Sequence, residues 1–472
     1  MSKNNETTVL ALALLLTLGL VGGGYLLFGN QILNFGFPKQ EQSGNQNQLD
    51  STQNQSLAER ISTGKKILIK GEVSPDKKAG IEAFAAKKYP EAISSLEASL
   101  NLKKNDPEAL IFLNNARIRN QNSYTIAVSV PIGTDPNSAL EVLRGVGQAQ
   151  NEINAGGGIN GTPLKVAIAN DDDKPEIAKE IASSLVNNPE VLGVVGPLAS
   201  DVTLAAGEVY NAGKLVAISP VSTSVKLTNF SPYVYRTIPS DFIAARALAN
   251  YMFTKLPGKK AAVFFNSQSN YSQSLKSEFV SAISLQGGQI TSEFDLSKPD
   301  FSAAKSIEQA TQQGAQVLML ASNTDTLDKA LQVVQVNQKK LPLLGGDDVY
   351  SIKTLEIGRE AAIDMVVAVP WHIQGNSQSD FPQKSRDLWG ADVNWRTATA
   401  YDATKALITA LERNPSRAGV KQALSAPEFS PIGASGSINF LPSGDRNGTV
   451  QLVKIVRGER SRTGYDFVPI SQ

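Results

Sequence analysis

Three short stretches place hydroxyls and acids where an apolar run gives way to a helical pattern. After VLGVVG comes Gly196-Pro197-Leu198-Ala199-Ser200, with Ser200 where a helix N-cap belongs. A hydroxyl beside free backbone N–H groups at the positive end of a helix suits a carboxylate, although a plain structural cap has the same pattern. After KLVAIS, Pro220-Val221-Ser222-Thr223-Ser224 offers more hydroxyls and the Val221 carbonyl, in a composition that an ordinary turn shares. After LPLLGG stand Asp347 and Asp348. An acid there could meet an ammonium; solvated turn aspartates and a calcium site are the other readings. Asp171 to Asp173 form a further acidic run. Adjacent side chains on an extended segment alternate direction, which argues against a magnesium site. Gly193-Val194-Val195-Gly196 lacks the third glycine and the spacing of a dinucleotide fingerprint.

Several reaction classes are excluded by what is scarce. There is no cysteine, which removes disulfides, thiolate catalysis and a lipid-bearing cysteine together. The single histidine, His372, rules against a His-based triad or a multi-His metal site. His372 itself is expected at the surface. No activated nucleophile or acid–base pair is visible, so an enzyme is not expected, and neither metal nor cofactor is called for. A formal net charge of +1 gives no case for nucleic acid.

The elements that must position the junctions begin at Tyr124. TIAVSV, LKVAIA, VLGVVG and KLVAIS alternate with helical stretches opening at Ser138, Pro175 and Ser200. KAAVFF, GQITSEF, AQVLML, LPLLGG and MVVAV come next, with helices from Tyr271, Phe301 and Asp325. Alternating strands and helices predict parallel sheets covered on both faces. Two such series predict two doubly wound α/β lobes. The end reverts to strands, SGSINF and GTVQLVKIV. In open sheets of this kind the ligand lies beyond the carboxyl ends of the strands, which is where all three junctions fall.

Ahead of the lobes the chain changes character twice. Thr8 to Phe28 is an uncharged apolar run. As a helix it would span roughly 31 Å, against a hydrocarbon core of ~30 Å. It is longer than the apolar region of a cleaved signal peptide, the competing reading. Lys3 precedes it and no basic residue occurs after it until Lys39, so a single-pass anchor with the rest of the chain outside the cytoplasm is expected. Residues 29–56 read as a Gln/Asn/Ser-rich flexible linker. Residues 57–121 are helical in pattern, with Ser74-Pro75, Tyr89-Pro90 and Asp106-Pro107 opening successive helices. Gly80, Phe84, Tyr89, Ala92 and Pro107 resemble one tetratricopeptide unit. A helical hairpin packed on its neighbour is the plainer reading, because repeats normally need about three copies to bury a core. This segment is expected to fold against the two-lobed region or independently of it, and to be dispensable for ligand capture.

The junctions form an ordered series. It runs from Asn151-Glu152-Ile153-Asn154 through AGGGINGTPL, the three aspartates, GPLAS, ISPVSTS, LTNFSPYVYRTIPSD and GGDD to FLPSGDR. This series resembles the leucine/isoleucine/valine-binding branch of the type I periplasmic binding proteins, from about Tyr124 to about Val453. The resemblance implies one two-lobed domain over 122–472, with three crossovers and closure around a ligand by a hinge. It also implies that Ser200 and Thr223 hold a ligand carboxylate and that Asp347, with the Val221 carbonyl, holds its α-ammonium. Asp241 would sit near the hinge, and Tyr271 would close over the ligand from the second lobe. There are departures. The loop after the first strand, Pro131 to Ser138, has no aromatic, and Ser322-Asn323-Thr324 stand where a second aromatic is expected. Asn323 in that place suggests a small or polar ligand side chain. Trp371 is expected to pack in the core, with the cleft as its alternative.

The function implied is an extracytoplasmic solute-binding protein that captures a small amino-acid-like ligand, with an ABC-type permease as partner or with a sensing role. The alternative is a membrane-anchored docking protein that uses a ligand-free binding fold and the helical segment to contact envelope enzymes.

Overall fold

The computed structural model describes residues 56–375 and 379–470. The apolar span 8–28 and the linker up to residue 55 lie outside the described residues. Among the described residues no helix is long and apolar enough to cross a membrane.

Two sheets make two lobes of an α/β fold. In the first, β1 (Ile61–Ser62), β2 (Tyr124–Val130), β3 (Leu164–Asn170), β4 (Val191–Val195), β5 (Ala217–Ser219) and β6 (Val234–Arg236) lie in the order β1-β3-β2-β4-β5-β6. All pairings are parallel except that of β1 with β3. In the second lobe, β7 (Lys260–Phe265), β8 (Gln289–Asp295), β9 (Val317–Ala321), β10 (Leu343–Gly345) and β11 (Val366–Val369) are parallel. After a two-residue hairpin, β12 (Ile432–Gly433) and β13 (Gly436–Ser437), the chain adds β14 (Gln451–Arg457) and β15 (Tyr465–Pro469) antiparallel at the β11 edge. The strand cores are Val-, Ile- and Ala-rich and buried throughout β4, β9 and β11 apart from Leu192, as expected of strands covered on both faces.

Each sheet reverses direction once. In each lobe one strand, β2 or β7, has the next strand on one side and the one after on the other, so the switch points fall between β2 and β4 and between β7 and β9. A crevice opens there beyond the carboxyl ends. Three segments cross between the lobes. They run from β6 into the helix Asp241–Lys255, from β11 through Pro370–Gly375 to the helices Phe381–Trp389 and Trp395–Arg413, and from the hairpin through Asp445 into β14. Arg236, fully buried, ties the first crossover to the third. Its Nε donates to Asp445 Oδ1 at 2.8 Å and its Nη1 to the Ser224 carbonyl at 2.8 Å.

The sequence pattern departs from the structure in identifiable places. SGSINF supplies only the two-residue β13, because Ile438 turns inward as a core residue instead of continuing a ladder. The helix Trp395–Arg413 is absent from the alternating pattern. It is buried on almost every side, so it carries no amphipathic period, and it packs on the first lobe. His372 is not at the surface: it is 3% exposed, beside Tyr350, and burial holds its imidazole down to about 4. Trp371 is buried against Phe381.

The helical segment consists of Pro75–Ala85, Tyr89–Leu102 and Pro107–Ile118, the first and third capped by Ser74 and Asp106. It folds against the first lobe and shares its core. Ile111 and Phe112 have no exposed surface and join the cluster formed by Ile126, Val142 and Val166. Asn115 Nδ2 donates to the Val166 carbonyl of β3 at 2.8 Å. Residues 56 to 472 form one compact unit. Periodicity identifies an apolar helix face but not the body that covers it, so the expected dispensability does not follow once this packing is known.

Candidate ligand cleft

The loops that leave the strands at both switch points face each other across a cavity of about 480 Å³. The first lobe contributes Thr134 and Asp135 after β2, Asp172 to Pro175 after β3, Leu198 to Val202 after β4, and Val221 after β5. The second contributes Gln268, Ser269 and Tyr271 after β7, Asn323 to Asp325 after β9, and Asp347 with Asp348 after β10.

The loops after β4 and β5 are stitched into one rigid wall. Ser219 Oγ donates to the Pro197 carbonyl at 2.7 Å, and Ser222 Oγ to the Leu198 carbonyl at 2.6 Å. Gly196 permits the close approach to β2: at φ +105° a Cβ there would fall 2.3 Å from the Ser129 carbonyl oxygen. Ser200 does not cap its helix. Ala199 holds that position, and Ser200 opens the helix Ser200–Ala212 with its Oγ accepting from Ser224 N at 3.3 Å. The hydroxyl therefore stays at the positive helix end, lining the cavity, instead of being consumed by the helix's own amides.

On the facing wall Tyr271 donates its hydroxyl to Asp347 Oδ1 at 2.6 Å. Gly346 makes room for this contact, since a Cβ there would lie 2.4 Å from the tyrosine oxygen. Asp348 is bridged by Arg396 at 2.7 Å. Burial raises both carboxyls above the ordinary range, with the Tyr271 hydroxyl opposing it for Asp347 and Arg396 for Asp348. Asp347, 8% exposed, has no basic residue of its own within ion-pair distance among the described residues.

Of the residues singled out from the sequence, Ser200, Val221, Tyr271, Asn323 and Asp347 line the cavity together. Thr223 and Asp241 lie behind it. The Thr223 carbonyl accepts from Asp241 N at 2.9 Å, which turns this part of the loop onto the start of the helix Asp241–Lys255. Burial pushes the Asp241 carboxyl up to about 7, against the hydroxyls of Ser274 and Thr223 beside it.

Other lining groups carry no ligand role in the sequence pattern, Asp173 standing there only as part of an acidic run. Asp135, Asp173, Asp201 and Asp325 all face the cavity. Each stands at or just past a strand end, so the rule that selected Ser200 and Asp347 also reaches them. Asp172 is bridged by Arg60 at 2.7 Å, a partner over a hundred residues earlier in the chain with no local signature. Asp201 joins the lobes, accepting from Asn270 N at 3.0 Å. Val225 N also reaches across, donating to Ser274 Oγ at 3.0 Å. No group of three or more acidic or histidine side chains among the described residues is placed to hold a metal ion.

This architecture is the type I periplasmic binding fold. Residues 123–461 match the sequence profile of the periplasmic binding protein family, and the chain belongs to that family. An amino acid binding protein of Pseudomonas aeruginosa is 33% identical over 144 residues, 30% of this chain and 38% of that protein. The leucine-specific-binding protein of Salmonella typhimurium is 26% identical over 285 residues, 58% of this chain and 75% of its own length. Among solved structures, an ABC transporter substrate-binding protein of Desulfitobacterium hafniense in complex with Leu superposes with a TM-score of 0.64 at 23% identity, covering 74% of this chain and all of that one. A branched-chain amino acid transporter substrate-binding protein of Streptococcus pneumoniae in complex with isoleucine gives a TM-score of 0.64 at 20% identity over the same shares. At these identities the structural likeness is one of fold.

Proposed function

We propose that this chain is an extracytoplasmic solute-binding protein that captures an α-amino acid between its lobes without changing it chemically, and presents it to an ABC-type permease or a sensor. The observation that carries the reading is the pairing across one cavity of the Ser200 hydroxyl at a helix N-terminus with the unbridged carboxylate of Asp347. The first suits a carboxylate and the second an ammonium, so a zwitterion satisfies both walls and a ligand lacking either charge leaves one unpaired. Thr223 and Asp241 would act from behind the wall, fixing the loop and the hinge. The Asp201–Asn270 contact and the Arg396–Asp348 bridge are the kind of interlobe links that closure makes and opening breaks.

In this reading the apolar span 8–28 anchors the protein in the cytoplasmic membrane, and the tetratricopeptide-like segment buttresses the first lobe. A reporter fused after Ser56 should be active only as an exported protein; activity of a cytoplasm-only reporter would refute the topology. Binding itself is tested by a thermal-shift screen of the twenty amino acids against the compact unit from Ser56 onward. A ligand that binds only the folded state raises its melting temperature. Stabilisation by at least one amino acid is expected, and stabilisation by none would refute the reading.

A further inference from the structure

The first lobe's rim of the cleft is held in part from outside the stretch that matches the family, residues 123–461. β1 joins the sheet at the β3 edge, antiparallel, with Ile61 opposite Ala169 and Ser62 opposite Ile168. Asn115 Nδ2 pins it there, donating to the Thr63 carbonyl at 2.9 Å as well as to the Val166 carbonyl of β3. Because β1 runs against β3, it starts level with the carboxyl end of β3, where the cleft lies. Arg60, the residue just before it, therefore stands beside Asn170 and the loop that follows.

Arg60 and Asp172 are 2% and 5% exposed. Arg60 Nη1 donates to Asp172 Oδ2 at 2.7 Å and to the Asn170 carbonyl at 3.4 Å. The other carboxylate oxygen of Asp172 accepts from Gly133 N at 3.0 Å, so one charge pair ties the loop after β3 to the loop after β2. A Cβ at residue 133 would lie 2.4 Å from that oxygen, so glycine there makes room for the contact. Asp172 itself is held at φ +50°, an uncommon conformation for a residue with a side chain. The two loops carry Thr134, Asp135, Asp173 and Lys174 to the cavity, and Asp135 Oδ2 accepts from Thr324 Oγ1 of the second lobe at 3.5 Å. Removing Arg60 would leave the buried Asp172 carboxylate without its counter-charge, and the loop would have to shift to bring it to water.

We infer that Arg60 is a positioning residue for ligand capture, setting where the loops after β2 and β3 stand in the cleft. The short segment ahead of the binding domain then belongs to the binding machinery, and ligand affinity and the order of β1 are linked in both directions. This rests on the reading of the cleft as an amino-acid site and extends it to a residue outside the cavity lining.

Calorimetric titration of the full chain with each of the twenty natural amino acids, repeated on Arg60→Gln with those that bind, tests this. Arg60→Gln should weaken binding at least about tenfold while still unfolding cooperatively. Arg60→Lys, which keeps the charge, should recover part of the loss. Phe112→Ala, which lowers stability through the core and not through this charge pair, should leave affinity within a few-fold. In the wild type, a binding amino acid should slow hydrogen exchange at the Ile61 and Ser62 amides a few-fold, although neither residue lines the cavity. Equal affinity in wild type and a folded Arg60→Gln would overturn the inference and leave the amino-acid site standing. An equal loss in Phe112→Ala would reduce Arg60 to a structural role and overturn it too. Should Arg60→Gln not fold, unchanged exchange at β1 would overturn the inference and slowed exchange would uphold it. If none of the twenty binds the wild type, the underlying reading fails and this inference with it.

Discussion

Replacing Asp347 with Asn keeps the size of the side chain and an oxygen to accept from Tyr271, and removes only the charge. That separates electrostatics from shape. The residue is 8% exposed, so a ligand ammonium placed against it is withdrawn from water. Losing one member of a buried, hydrogen-bonded charge pair costs ~2–5 kcal/mol. At ~1.4 kcal/mol per factor of ten, affinity should fall roughly 30-fold to several-thousand-fold. Asp348 cannot step in, because Arg396 already holds it at 2.7 Å. The loss should also depend on pH. Burial raises the Asp347 carboxyl above its ordinary range, so in mildly acidic solution the wild type is already partly protonated there and the two proteins should converge. Calorimetric titration at about pH 5 and pH 8 measures both effects, with cooperative unfolding as the control for an intact fold. Asp347→Asn binding the same amino acid as tightly as wild type at pH 8 would refute the reasoning.

Ser200→Ala should cost less, ~1–3 kcal/mol of binding, because backbone donors at the helix end remain; the same titration reads it. Phe112→Ala should destabilise the folded unit by ~3–5 kcal/mol, since the ring is wholly buried in the first lobe's core, and urea unfolding measures this. An effect under about 1 kcal/mol would show that the helical segment stands apart from that core. Asp241 is wholly buried and has a folded value near 7, above its ordinary 3.8. The stability it contributes is therefore fully present below about 3.8 and is lost as pH rises through the folded value. Melting curves of the wild type and Asp241→Asn across about pH 4 to 8 should show the wild type losing more stability with rising pH than the variant.

The sequence made the layered α/β plan legible because strands buried on both faces read as unbroken runs such as VLMLA and VVAV, bounded by turn residues. It made Ser200 and Val221 on one wall and Asp347 on the other legible because strand ends in a doubly wound sheet converge. It did not reveal the helix Trp395–Arg413, whose buried surface leaves no period, nor that Ser200 would come after the cap rather than form it. Thr223 and Ser222 are adjacent hydroxyls, and only the turn decides which faces the wall. The acidic lining of the cavity was hidden for a different reason. Asp135, Asp173 and Asp325 are far apart in the chain, each indistinguishable alone from a solvated turn acid, and the partners that spare Asp172 and Asp348 come from Arg60 and Arg396.

The most direct test of amino-acid capture in this cleft is a crystal structure of the unit from Ser56 onward, grown with the amino acid that most raises its melting temperature. The account predicts that ligand between the lobes, its α-carboxylate at Ser200 and its ammonium on Asp347. Clear density for the same molecule with its charged groups away from both residues, or outside the cleft altogether, would contradict it.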